Sequence, residues 1–247
     1  ILKYIGIALL LQTRFFLFSQ EEIKHPVVVL TFDDARISQY NIAAPLLKKY
    51  GFGATFFICE FPYRSPESSG QFMSWDQIHD LYSMGFEIGN HTRHHKNVTR
   101  LSRNEIEQEI SYIDSLCITR NIPKPVSFAY PGNRSDTIAP EILKSMGFHF
   151  ARAGGSRLYD SKLDDPFRIP GYTMSSVEKL KSRIDTVLHD MVPGQIIVLT
   201  IHGINDEFNP NYSTDSELFE EYLKFFKDHS FKVIPMCELS DYVDLDS

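Results

Sequence analysis

Val27-Val28-Val29-Leu30-Thr31-Phe32 is an unbroken run of apolar and β-branched residues that stops on Asp33-Asp34. Three further stretches repeat this design. Phe86-Glu87-Ile88-Gly89 leads to Asn90-His91, with His95 four residues on. Val126-Ser127-Phe128-Ala129 leads to Tyr130-Pro131, and Ile196-Ile197-Val198-Leu199-Thr200-Ile201 leads to His202. Read as parallel strands, the four runs bring all their terminal polar groups to the carboxyl edge of one sheet or barrel. Active sites of α/β folds sit at that edge. Two carboxylates and three histidines gathered there point to a hydrolytic metal centre.

Between the runs the pattern changes to helical periodicity, the alternation expected of βα units. A helix is predicted over about 37–50, closed by Gly51. A buried strand is predicted over 53–59. Ser74-Trp75-Asp76-Gln77 and Ser102-Arg103-Asn104-Glu105 have the form of capping boxes that open helices ending near Met84-Gly85 and Cys117. Further helices are predicted over 136–146, near 177–190 and from Thr214, and strands over 148–152, 167–169 and 232–235. This makes about eight strands and six helices with no repeat or linker, so one α/β barrel-like domain is the economical reading. The 247 residues suit it, since such barrels run to ~250. An open doubly wound sheet is the alternative.

Composition sets outer bounds. Hydrophobic residues make up 43%, enough for a large core, and the formal charge of −7 argues against nucleic acid as a partner. Cys59, Cys117 and Cys237 fit neither a disulfide framework nor a zinc knuckle. Residues 1–20 combine Lys3, a short apolar run, Arg14 and a small polar exit, the form of a signal peptide or amino-terminal anchor. The catalytic domain is then expected over 26–243, in a secreted or cell-envelope protein, with membrane association through the amino terminus as a further option. The segment 61–72, rich in Pro, Ser and Gly, reads as a loop bordering a substrate groove. Aromatic residues such as Tyr63, Trp75, Tyr130, Tyr172 and Phe208 could stack on sugars or simply fill the core.

Adjacent carboxylates repel unless a cation or a proton intervenes, and neighbours on an extended chain point apart. One of Asp33 and Asp34 can therefore bind a metal while the other stays free as a base. His91 and His95 can face one cation, with His94 directed away. Joined to Asp34 they form a His₂-carboxylate set, the donor composition of catalytic zinc sites that keep a position open for water. His202 can serve as a general acid, because an ordinary histidine titrates near neutrality.

Thr31-Phe32-Asp33-Asp34, His91-Thr92-x-x-His95, Phe128-Ala129-Tyr130-Pro131 and a late strand ending in His202 occur in the order of the polysaccharide deacetylase family. This is carbohydrate esterase family 4, the NodB-homology domain. The lead from Met73-Ser74-Trp75 to Gly89-Asn90-His91-Thr92 also resembles it, and the likeness runs from about Pro26 to Asp241. The resemblance implies a distorted (β/α) barrel of about seven to eight parallel strands. It also implies one divalent metal, zinc first and cobalt or nickel as alternatives. Asp34, His91 and His95 match the metal ligands, Asp33 the catalytic base and His202 the catalytic acid. A backbone N–H near Gly132 matches the oxyanion donor. The implied reaction is hydrolysis of N-acetyl groups on a glycan, with release of acetate. An O-acetyl esterase, a small-molecule amidohydrolase and a weakly active glycan-binding relic are the alternatives.

Three positions depart from the family. Ala129 stands where an arginine usually pairs with the base, so Arg168 is the expected donor of that guanidinium, with Arg36 as a weaker choice. The family's Asp-x-x-Asp-Trp motif is absent, Trp75 being the only tryptophan, so Asp164 or Asp165 is expected to orient His202. Thr200 replaces a customary leucine.

Overall fold

The computed structural model describes residues 24–61 and 70–243. The expected signal segment at 1–20 and most of the loop at 61–72, Tyr63 included, lie outside these residues. Among the described residues no helix is long and apolar enough to cross a membrane.

Eight strands form the main sheet: β1 (Val27–Phe32), β2 (Thr55–Ile58), β3 (Glu87–Asn90), β4 (Ser127–Ala129), β5 (Phe150–Arg152), β6 (Tyr172–Thr173), β7 (Ile196–Ile201) and, beside β1, β10 (Lys232–Ile234). Their order is β5-β4-β3-β2-β1-β7-β6, and every pairing is parallel. One edge of β1 pairs along its whole length with β7. The other is divided between β10, at Val27 to Val29, and β2, at Thr31 and Phe32. A two-stranded ribbon, β8 (Gly203–Ile204) with β9 (Ser213–Thr214), follows β7.

The sheet curls until its outer edges meet on one short segment. Ile169 forms a parallel bridge to Arg152 of β5, and three residues later Tyr172 pairs with Leu199 of β7. The result is a distorted α/β barrel in a single domain, as expected. Gly171 sits in this closure, where an added Cβ would come within 3.3 Å of Thr200 Oγ1 and 3.4 Å of Arg152 Cδ. The absence of a Cβ at Gly171 leaves room there for the Arg152 side chain.

Among the described residues six α-helices cover the outside: α1 (Ala44–Tyr50), α2 (Trp75–Ser83), α3 (Arg103–Thr119), α4 (Ile138–Ser145), α5 (Glu178–Asp190) and α6 (Ser216–Asp228). Both predicted capping boxes form, at Ser74 with Gln77 and at Ser102 with Glu105. Gly51 ends α1 in the left-handed region, φ 73°. A wide π-turn, Gln39–Ala43, precedes α1.

Side chains alternate between the two faces of a strand, and the core divides accordingly. Val28, Leu30 and Phe32 pack outward with Leu47, Phe219 and Leu223 of the helices. Val27 and Val29 pack inward with Phe57, Phe150, Ile196, Val198 and Ile234. Continuing each inward row by steps of two reaches Asp33 on β1, Thr200 and His202 on β7, and Arg152 on β5. The carboxyl end of the barrel interior is therefore polar at β1, β5 and β7, because the alternation that fills the base with apolar side chains ends these three rows on polar residues.

Candidate active site

Asp34 leaves β1 with φ 73° and Ala35 follows with φ 51°. Two consecutive non-glycine residues in the left-handed region are costly, and such strain clusters at functional sites. The turn brings Asp34 Oδ1 to 3.6 Å from His91 Nε2 and 3.4 Å from His95 Nε2. One donor atom from each residue lies within 4.8 Å of the others. His91 Nδ1 is 2.7 Å from the Ala129 carbonyl, which can only accept. The proton therefore sits on Nδ1, and the Nε2 lone pair faces Asp34. Burial pushes the His91 imidazole down to about 3 and lowers His95 as well, so both rings are neutral. Asp34 moves the other way: burial, reinforced by Asp33 and opposed by His202, raises its carboxyl to about 6. Its buried Oδ1 has no hydrogen-bond partner among the described residues. Two neutral imidazoles and one orphaned carboxylate oxygen fit a single divalent cation with coordination positions left open.

The histidine loop is held from behind by α3. Glu109 accepts from the His94 N–H at 2.7 Å and contacts His94 Nδ1 at 2.8 Å, which turns His94 away from the other two, as its position predicted. Asn90 accepts from the Thr92 N–H at 2.9 Å and donates to Asp114 at 2.8 Å.

Asp33 has a different environment. Arg152 Nη2 donates to both its carboxylate oxygens, at 2.7 and 2.5 Å. Burial alone would raise Asp33, but Arg152 foremost, with His91 and His202, outweighs it and holds the carboxyl below its ordinary value. Arg152 is completely buried and its Nη1 donates to Asn133 Oδ1 at 3.0 Å and Thr200 Oγ1 at 2.8 Å. His202 Nε2 lies 4.0 Å from Asp33 Oδ2.

Arg168 is not the partner of Asp33, which corrects the sequence expectation. It is exposed, donates to the Asp136 carbonyl at 2.6 Å and lies 3.9 Å from Asp165. Its neighbour Ile169 is the residue of that segment that packs into the barrel interior, so Arg168 points outward. Arg36 is engaged as well, with two hydrogen bonds to Asp206 at 2.8 and 2.9 Å. Asp164 binds Arg157 and Asp165 accepts from the Phe167 N–H, so neither orients His202. His202 Nδ1 has no hydrogen-bond partner among the described residues. Arg152 closes the predicted strand Phe148-His149-Phe150-Ala151-Arg152, so a charge ending an apolar run was a usable signal. Thr200 takes its meaning from Arg152, since its hydroxyl holds the guanidinium.

Asp33, Asp34, His91, His95 and His202 all open onto one cavity of about 500 Å³, with Gly132 on its wall. Its rim is aromatic: the Phe61 ring lies 5.2 Å from His95 and the Tyr212 ring 5.3 Å from His202. Of the aromatics singled out from the sequence, Tyr130 and Tyr172 are buried, and Trp75 donates to Glu60 at 2.9 Å. Phe208 is 66% exposed.

Comparison with known proteins follows the same lines. Residues 20–151, more than half of the chain, match the family model described as polysaccharide deacetylase. A search of curated protein sequences finds no match. Among solved structures, the peptidoglycan deacetylase PdaC from Bacillus subtilis is 21% identical, with a TM-score of 0.59 over 88% of this chain and 91% of that one. A mutant of BA3943, described as a pseudoenzyme of carbohydrate esterase family 4 with restored activity, is 18% identical, with a TM-score of 0.61 over 90% and 70%. The Streptococcus pyogenes deacetylase PplD, solved with acetate, is 22% identical, with a TM-score of 0.52 over 58% of this chain and 62% of that one. The present chain thus spans under two thirds of PplD. At these identities the neighbours establish a shared fold, while the family model matches the sequence itself: the chain belongs to the polysaccharide deacetylase family.

Proposed function

We propose that this chain is a divalent-metal-dependent deacetylase that hydrolyses N-acetyl groups of a polysaccharide or oligosaccharide. The observation that carries the reading is the opposite treatment of two adjacent carboxylates. Asp34 is half-buried, with a buried Oδ1 that has no hydrogen-bond partner among the described residues and lies beside two neutral imidazoles, whereas Asp33 is held ionised by Arg152. Paired titratable groups pushed apart in this way mark distinct chemical roles. The fold alone does not carry the activity, since one structural neighbour is itself a pseudoenzyme.

In this reading Asp34, His91 and His95 hold the cation, which would supply Lewis acidity towards the acyl carbonyl and a water. Asp33 takes a proton as that water adds to the carbonyl carbon. Arg152 keeps Asp33 ionised and fixes its orientation. A backbone N–H beside Gly132 faces the oxygen that gains charge. The C–N bond then breaks, and His202 delivers a proton to nitrogen, since an amide anion is a poor leaving group. The products are acetate and a free amine on the sugar. Zinc is the first choice of metal, with cobalt and nickel compatible with the same donors. Export directed by residues 1–20 belongs to the same proposal.

The test is acetate release from chitin oligomers, peptidoglycan, poly-N-acetylglucosamine and acetylated xylan, before and after chelation and after return of zinc, cobalt or nickel. Release that survives exhaustive chelation, or no release from any of these glycans, would remove the proposal.

A further inference from the structure

The base and the proposed acid stand on different strands, and the β1–β7 ladder ends just short of both. Phe32 pairs with Ile201, and the last rung is the Asp33 N–H donating to the Ile201 carbonyl at 2.9 Å. Beyond it no further backbone bond links the two strands among the described residues, and the carbonyls of Asp33 and His202 are left without a rung. Gln39 fills that gap. Its side chain is fully buried, and its single Nε2 donates to the Asp33 carbonyl and, at 2.6 Å, to the His202 carbonyl. Both carbonyls can only accept, so the NH₂ group, not the amide oxygen, must face them. Each N–H of the carboxamide is thereby used, one on the residue that carries the base and one on the residue that carries the acid.

The surrounding chain reinforces this grip. Ser38 Oγ accepts from the Ile204 N–H at 3.0 Å, and Arg36 pairs with Asp206. Residues 36 to 39 therefore hold the chain after β7 at three successive points. Gln39 also opens the π-turn that precedes α1, a local form found frequently at functional sites. Burying a glutamine in a helix–sheet core is costly, and here only the NH₂ half of the amide is bonded, while Oε1 has no hydrogen-bond partner among the described residues.

We propose that Gln39 is a positioning residue that sets the separation of Asp33 and His202 by closing the open end of the β1–β7 ladder. The inference rests on the roles proposed for Asp33 and His202, but the clamp itself can be observed without activity. Small displacements of reacting groups are costly, about 100-fold for an ångström.

The test is Gln39→Met, which keeps shape and burial but donates nothing, with Gln39→Glu as the second variant should the first fail to fold. Amide hydrogen exchange is followed by NMR on the cation-free protein. The Asp33 N–H should exchange at least about tenfold faster, while amides at the middle of β1 and β7 keep their parental rates. With the metal-loaded enzyme, kcat should fall by about 10- to 100-fold, with KM and zinc affinity within about threefold of parental values. Parental exchange at Asp33, or acceleration spread evenly over both strands, would overturn the clamp. Parental kcat despite faster exchange at Asp33 would overturn its positioning role. A parental protein inactive on every acetylated glycan would instead count against the proposed function, and the exchange result would still decide the clamp.

Discussion

Asp33 and Asp34 are neighbours in sequence and opposites in environment. Asp33 has its countercharge built into the fold, since the buried guanidinium of Arg152 holds it ionised. Asp34 has none, and burial raises it to about 6 beside two neutral histidines. One corner of the site is electrostatically complete in the folded chain, and the other is the one that the proposed cation would complete. On the roles proposed for Asp33 and Asp34, a single strand end supplies both a base and a ligand.

The largest expected effect separates the two corners by their losses. Asp33→Asn should abolish turnover while zinc still binds, whereas His91→Ala should lose both. Activity and zinc stoichiometry measured on the same preparations check this, and near-parental rates in Asp33→Asn would break the comparison outright. Next comes Arg152→Ala, which leaves a buried carboxylate unpaired. It should cost about 3–5 kcal/mol of stability in urea unfolding, together with most of the activity.

Asp34→Asn should act in the opposite direction on the cation-free protein. A carboxyl raised in the folded state binds its proton more tightly there than in the unfolded chain. Stability is then fullest below the ordinary carboxyl value of about 4 and falls as pH rises through about 6. The asparagine removes that decline, so it should stabilise the chelated protein by about 2 kcal/mol at pH 7.5 and not at pH 4. Denaturation at both pH values reads it, and destabilisation at pH 7.5 would count against an unfinished cation site. The smallest effects compare two positions near Arg152. Thr200→Val removes one bond to the guanidinium and should cost about 1 kcal/mol with a severalfold loss of kcat. Arg168→Ala, on the surface, should leave both within error.

Much of this arrangement was legible in the sequence, because it depends on local rules. Unbroken apolar runs gave the strands. Ser74 with Gln77 and Ser102 with Glu105 marked the helix starts, and polar residues at strand ends marked the site edge. His91, His95 and Asp34 were readable as a donor set because the two histidines share one loop and the aspartate ends a strand that belongs at the same edge.

Arg152, Asn133, Gln39 and Asp206 were not readable in this way. Arg152 and Asp33 are 119 positions apart, and Arg36 and Asp206 are 170 apart. No spacing rule links such pairs. Arg152 ends the strand Phe150–Arg152 and Arg168 lies within Phe167-Arg168-Ile169, and charge alone does not choose between them. What chose was strand parity within a closed barrel: Arg152 continues the inward row of Phe150, while Arg168 lies one residue out of step with inward-facing Ile169. The sequence by itself determined the strands, the helix caps and the residue types at the catalytic edge. The tertiary structure decided which buried charge neutralises which, because only the curl of the sheet brings β5 to the end of β1, and in a buried interior an ion must be matched by whatever lies within a few ångströms.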